Sequence, residues 1–262
     1  MSLRVAANLS LLYPHLAFAE RFTAAAADGF TAAELLFPYD VEPDVLAGWL
    51  RASALQHVLV NTPPGPTGEP GFAGLPGAAA AFRDGFHRAL AVCGATGCRI
   101  IHTMAGDPPA GATYDECVDT LLTNLAWAAA VAAERGIVLT LEALNHHDMP
   151  GYLYSVPTQT VAVVNQLGHP AVRVQFDLFH TAREGLDLVA ELHAALPHTH
   201  HVQIAGAPDR HEPDLAYPGL ADAIVALDAS GYDGWLGFEY RPAGDTTAGL
   251  SWCTPMAARF VR

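Results

Sequence analysis

Four short apolar runs each carry an acid or an amide at or next to the C-terminal end: Glu142 in Val138–Glu142, Asp177 in Val172–Asp177, Gln203 in Thr199–Ile204 and Glu239 in Trp235–Glu239. Side chains alternate faces along a strand, so each run can be read for parity. Val172, Val174 and Phe176 make one face, and Arg173, Gln175 and Asp177 the other. Leu139 and Leu141 oppose Thr140 and Glu142; Val202 opposes His201 and Gln203; Leu236 and Phe238 oppose Glu239. If the four runs are neighbouring strands, their polar ends converge. Three carboxylates in a low-dielectric pocket repel strongly and need a cation, protonation or basic partners. Oxygen donors of this kind suit a hard divalent ion, Mg²⁺ or Mn²⁺. The plain alternative is helix capping. It would account for Asp177, because Asp is a good N-cap, but less easily for Glu142 and Glu239.

Further residues could serve the same mouth. His180 follows Asp177 by three positions, in an expected loop over the opening. Arg210 follows Gln203 by seven, and an arginine there could fork onto a substrate carboxylate. His146 and His147 read as loop residues, and His102 lies on a strand with its facing unassigned. His201, one layer beneath Gln203, suits a packing or supporting part. Trp49, Trp127, Trp235 and Trp252 read as structural.

The elements that must position these groups alternate regularly. Strand-length runs cover Arg4–Asn8, Ala32–Phe37, Leu55–Asn61 and Arg99–Met104, then the four runs above. Helical patterns fill about 15–28, 42–53, 77–94, 114–135, 156–167, 187–195 and 217–230, with an eighth over about 244–258. Gly29, Gly94, Gly136 and Gly168 are read as glycines that end helices. Eight strand–helix units in 262 residues match a single-domain (β/α)₈ TIM barrel spanning 1–262, in which sites lie at the C-terminal ends of the strands. A doubly wound sheet would carry G-x-G-x-x-G after the first strand, where Leu-Ser-Leu-Leu-Tyr-Pro stands instead. The Pro/Gly-rich stretch Thr62–Gly77 reads as a long functional loop.

Composition narrows the function classes. Thirteen basic against 27 acidic residues leave a formal charge of −14, with 51% apolar and 15% charged residues. A globular core is expected, with roughly 70–75% of the chain's surface buried and about 11,000 Å² left accessible. The acidity argues against nucleic-acid binding, which needs a basic face. No run approaches the roughly 18–20 apolar residues that span a bilayer. Met-Ser-Leu-Arg-Val has no secretory character. Cys93, Cys98, Cys117 and Cys253 form no C-x-x-C pair and read as buried apolar residues in a reducing cytoplasm. Self-association into a homo-oligomer is compatible with all of this.

The motifs taken together resemble the hydroxypyruvate isomerases of the xylose-isomerase-like TIM-barrel superfamily. The resemblance runs nearly the whole chain. It is carried by Ala7-Asn8-Leu9-Ser10, Glu34-Leu35-Leu36-Phe37-Pro38-Tyr39-Asp40, Leu141-Glu142-Ala143-Leu144-Asn145-His146, Gln175-Phe176-Asp177-Leu178-Phe179-His180, His201-Val202-Gln203-Ile204-Ala205 and Gly237-Phe238-Glu239-Tyr240-Arg241-Pro242. It implies Glu142, Asp177, Gln203 and Glu239 as metal ligands, with Glu142 and Glu239 also the acid/base pair. The implied reaction interconverts hydroxypyruvate and 2-hydroxy-3-oxopropanoate through an enediolate, with His180 or Arg210 holding the carboxylate of a small anionic hydroxy-oxo acid. A 2-oxotetronate isomerase of the same subgroup is the nearest alternative. A ketose 3-epimerase usually has His where Gln203 stands. An endonuclease-IV-like hydrolase would need a His-rich three-metal site and a basic face. Relatives also carry a Gly-rich stretch with a further acid where Asp214-Leu215-Ala216-Tyr217 stands, in a loop expected to border the substrate.

Overall fold

The computed structural model describes residues 3–261; Met1 and Ser2, which begin the segment read above for secretory character, lie outside them. Eight strands close a parallel barrel: β1 Leu3–Asn8, β2 Ala32–Leu35, β3 Gln56–Asn61, β4 Ile100–His102, β5 Val138–Glu142, β6 Val172–Asp177, β7 Thr199–Ile204 and β8 Trp235–Phe238. Each pairs with its neighbours in chain order, and β1 pairs with both β8 and β2, which closes the ring. A two-residue strand, β9 (Phe260–Val261), adds to the start of β1. The accessible surface is 10541 Å², close to the scale expected for the mass.

Helices α1 Phe18–Ala27, α2 Pro43–Ala52, α3 Ala79–Thr96, α4 Tyr114–Ala133 and α5 Pro157–Leu167 follow the first five strands. After β6 come α6 Leu178–Arg183 and α7 Leu188–Ala195; α8 Leu220–Ala229 follows β7, and α9 Thr246–Gly249 follows β8. Local chemistry sets several of these ends. Thr113 and Glu116 form a reciprocal capping box at the start of α4. Gly168 ends α5 in the left-handed region that glycine adopts without strain.

Three expectations change. Gly94 lies inside α3, whose end is capped by Gly97; a glycine in a long, well-packed helix need not stop it. The eighth helix is one short turn, α9, continued by a 3₁₀ segment over Leu250–Arg259 that contains Pro255. The residues after Asp177 are helical, as α6, where a loop was expected.

The parity reading places the core. Leu139, Leu141, Val172, Val174, Phe176, Val202, Leu236 and Phe238 are all buried in the main apolar cluster. A second cluster of Ala6, Ala32, Val58, Leu59 and Ile100, with Trp235 against it, packs separately. All four cysteines are buried. Among the described residues no helix is long and apolar enough to cross a membrane.

Phe238 ties the chain end to the barrel. Its ring lies 5.9 Å from Phe30, 5.0 Å from Trp252 and 5.8 Å from Phe260 by centroids. Phe238→Ala is expected to lower unfolding free energy by about 3–5 kcal/mol in urea denaturation, the range for a fully buried Phe; a loss below about 1 kcal/mol would contradict this packing.

Candidate active site

β5, β6 and β7 deliver Glu142, Asp177 and Gln203, and Glu239 follows directly on β8. Strand register sets Asp177 opposite Gln203 and Glu142 opposite Gln175. The Glu239 N–H continues the ladder to the Ile204 carbonyl at 3.1 Å. All four expected ligand residues are at most 5% exposed. Glu142 and Glu239 line a cavity of about 870 Å³ together with His102, Met104, His180 and Arg210. Pro64, Gly68 and Pro70 also line it, so the long Thr62–Gly77 segment does reach the mouth.

Asp177 caps the helix that follows it, the plain alternative weighed above. Its Oδ1 accepts the Phe179 N–H at 2.7 Å and caps α6. Its Oδ2 is buried and, among the described residues, has no hydrogen-bond donor; the same holds for Glu142 Oε1 and Glu239 Oε2. A buried carboxylate oxygen left without a donor is costly, and here three of them come from the ends of β5, β6 and β8. Ligand atoms of Glu142, Asp177 and His180 lie within 4.8 Å of one another. That spread, over two carboxylate oxygens and one ring nitrogen, is close to the roughly 4.2 Å that two atoms bound at about 2.1 Å to one ion can span. The residues present therefore fit a divalent cation.

His180 is not a loop residue. It is buried on α6, where the Asn145 backbone N–H donates to its Nδ1 at 3.0 Å. Nδ1 is thus an acceptor. Nε2 faces Asp177 Oδ2 at 3.7 Å and Glu142 Oε1 at 3.8 Å. Arg210 Nη1, which can only donate, lies 3.4 Å from the same Nε2. Burial, then the Arg210 charge, holds His180 well below the usual histidine range, so it stays neutral.

Arg210 sits in a tight turn. Its φ is +59°, a region that L-residues rarely adopt. The turn is held by Arg210 N–H to Gly206 O at 2.8 Å and Arg241 N–H to Arg210 O at 2.7 Å. A side chain at Gly206 would overlap the Glu212 carbonyl. The guanidinium stacks 4.9 Å over Phe179 and is ion-paired to Glu239 Oε1. Burial alone would lower the Arg210 pKa, but Glu239 and Asp177 outweigh it and hold it raised. Arg210 is thus first a partner of Glu239, to whose carboxylate Nη2 donates and to whose backbone carbonyl Nε donates at 3.4 Å.

Electrostatics follow from burial. Glu142 is pushed well up by burial and then by the Glu239 and Asp177 charges. Glu239 is pushed up to about 8 by burial, against the pull of Arg210. Asp177 is raised by burial and partly restored by Arg210. His102 faces Glu142 at 3.3 Å outside hydrogen-bond geometry, and burial drives it down to about 3.

Other expectations are redistributed. His146 is exposed and bonds Glu184, while His147 lines the cavity. His201 bonds Glu34. Residues 208–210 line the cavity but 214–217 do not, and Tyr217 instead bonds the Ala182 carbonyl. The shortened loop therefore does not border the cavity as expected, because the 206–211 turn stands between. Sequence reasoning assigned no part to Glu34, Gln175 or Asn145. Gln175 is the residue that links Glu142 and Gln203, by bonds of 2.9 and 2.6 Å. Its lumenal parity was the available signal.

The fold and the site together are those of a closed (β/α)₈ barrel with acids at the C-terminal mouth of its strands. The sequence model described as xylose isomerase-like TIM barrel matches residues 22–256, and the chain belongs to that family. It is 44% identical to the 2-oxo-tetronate isomerase of Cupriavidus necator, over 98% of this chain and 99% of that one. It is 34% identical to the hydroxypyruvate isomerase of Escherichia coli, over 97% and 99%. A solved structure from Brucella melitensis, described as an AP endonuclease, family 2, superposes with a TM-score of 0.92 at 39% identity, over 97% and 99%.

The raised carboxyls predict a pH signature. A carboxyl whose folded pKa is raised stabilises the fold at low pH, and that contribution is lost as pH climbs through the folded value. For Glu239 the window runs from about 4.5 to about 8. The depressed His102 and His180 act oppositely, destabilising below about 6.5. Metal-free protein is expected to lose thermal stability from pH 6.5 to pH 8.5 in scanning calorimetry. Added Mn²⁺ is expected to raise Tm more at pH 8 than at pH 6, because ligands must be deprotonated. A metal-induced shift larger at pH 6 would contradict the assignment.

Proposed function

We propose that the protein is a metal-dependent isomerase of small hydroxy-2-oxo acids, interconverting hydroxypyruvate and 2-hydroxy-3-oxopropanoate. The observation that carries this reading is the set of three buried, donor-less oxygens on Glu142, Asp177 and Glu239. With the Gln203 amide oxygen, these would hold Mg²⁺ or Mn²⁺. When bound, such an ion supplies Lewis-acid polarisation of the substrate's vicinal oxygens.

The chain's own residues do the rest. One of Glu142 and Glu239 takes the C3 proton, an enediolate spans C2 and C3, and the other returns a proton to C2. The hydroxyl hydrogen passes from the C3 oxygen to the C2 oxygen, so the reaction is atom-balanced and needs no redox partner. Arg210 keeps Glu239 oriented by their ion pair and offers its remaining N–H groups to the substrate carboxylate. His180 lines the same cavity as a neutral ring and adds a polar contact for the substrate without adding charge. The acidic chain gives the anionic substrate little long-range help, so capture relies on these few donors.

A four-carbon 2-oxotetronate is the second reading, favoured by the name of the 44%-identical relative. Nucleic acid is not part of either: a charge of −14 and an amide at Gln203 in place of a histidine disfavour abasic-site cleavage.

Chelator-treated enzyme is expected to lose turnover and to regain it with Mg²⁺ or Mn²⁺, as followed by NMR on both acids; unchanged turnover after chelation would overturn the metal-dependent reading. The faster substrate by kcat/KM decides between three and four carbons, and cleavage of abasic DNA would contradict both. Glu239→Gln is expected to lower kcat by about 10²–10⁴ with a smaller effect on KM, the range for loss of one acid/base group. Near-normal turnover in that variant would sink the role given to Glu239.

A further inference from the structure

Glu34 is a fully buried carboxylate at the end of β2, on the far side of the barrel from β5 and β6 in strand order. Its oxygens accept three hydrogen bonds. Asn8 Nδ2 and Gln203 Nε2 both donate to Oε2 at 3.0 Å, and His201 Nε2 lies 2.5 Å from Oε1. Gly237, on β8, has no side chain where one would overlap the Glu34 carboxylate. The barrel therefore leaves out a lumenal side chain to admit this acid. A carboxylate buried this completely is retained against its desolvation cost, which calls for a reason.

The reason lies in the direction of the hydrogen bonds. A carboxylate only accepts, so Gln203 must turn its NH₂ toward Glu34 and its oxygen the other way. That oxygen accepts from Gln175 Nε2 at 2.6 Å. Gln175 in turn is fixed from its far end, where its own oxygen accepts the Thr140 hydroxyl at 2.9 Å. Its NH₂ is then shared between Gln203 and Glu142 Oε2. The orientation of both amides is thus set by two carboxylates that only accept, Glu34 beside Gln203 and Glu142 beside Gln175, with the Thr140 hydroxyl donating to suit. An amide can ligate a hard cation through its oxygen and not through its NH₂.

We infer that Glu34 is a positioning residue: it fixes the Gln203 amide so that the oxygen, not the nitrogen, is presented to the cation. This rests on the proposed reading of Gln203 as a ligand. Its sign is specific. Replacing the acceptor by a group of equal size that can also donate removes the constraint on the flip, without emptying space in the barrel.

The test is Mn²⁺ affinity of the full chain, read by the electron paramagnetic resonance signal of free Mn²⁺, for wild type, Glu34→Gln, Gln203→Ala and the double variant. Glu34→Gln is expected to weaken Mn²⁺ binding about 10–100-fold, the scale for loss of a group that orients a ligand. In the Gln203→Ala background the same change is expected to have almost no further effect. A purely structural role would shift Tm in both backgrounds and leave affinity alone. Affinity within twofold of wild type in Glu34→Gln, or an equal loss in both backgrounds, overturns the inference. If Glu34→Gln does not fold, Glu34→Asp keeps the charge but shortens its reach to Gln203, and the same loss is expected; wild-type affinity there overturns it too. Failure of the wild type to bind Mn²⁺ at all would instead bring down the metal reading on which this stands.

Discussion

The mutual repulsion of Glu142, Asp177 and Glu239 is the constraint around which the rest of the site is arranged. Each is buried, and each has one oxygen without a donor. One half-buried arginine, Arg210, pairs with Glu239 and approaches Asp177 to 3.9 Å, but it cannot neutralise three acids. A divalent ion would take their combined charge from −3 to −1. The other polar groups against the cluster are neutral. His180 and His102 are kept uncharged by burial, and Gln175 supplies an amide. On the proposed reading, a cation completes the site and an anionic substrate then meets it.

The fold makes this affordable by separating the two faces of each strand. The outward residues of β5 to β8 sit in the apolar layer beneath the helices, while the inward ones carry polar chemistry at one end only. The lower lumen is small and apolar around Ala6, Ala32 and Leu59. Metal-site strain is therefore confined to the mouth, where loops can differ between family members without disturbing the ring.

How much of this could be read from the sequence depended on strand length and contrast. β6 has six residues with strict alternation, so Asp177 was placed correctly by parity. β4 is only Ile-Ile-His, too short to show which way His102 faces. β2 is Ala-Ala-Glu-Leu with every residue buried, so nothing local marked Glu34 as lumenal, and its partners lie as far off as His201 and Gln203. α6 was missed because six residues carry less than two helical turns and its cap, Asp177, was already counted as the end of a strand. The pairing of Arg210 with Glu239 arises from the 206–211 turn folding back on β8, a contact of two segments about thirty residues apart that no local pattern encodes.

The central claim is that one cation resolves the carboxylate cluster. Anomalous diffraction from crystals grown with Mn²⁺ tests it most directly. The account predicts a single strong peak about 2.1 Å from oxygens of Glu142, Asp177 and Glu239 and from the Gln203 amide oxygen, with Arg210 still beside Glu239. A peak bound elsewhere, or none at the cluster with Arg210 and protonated acids filling it, would contradict the account.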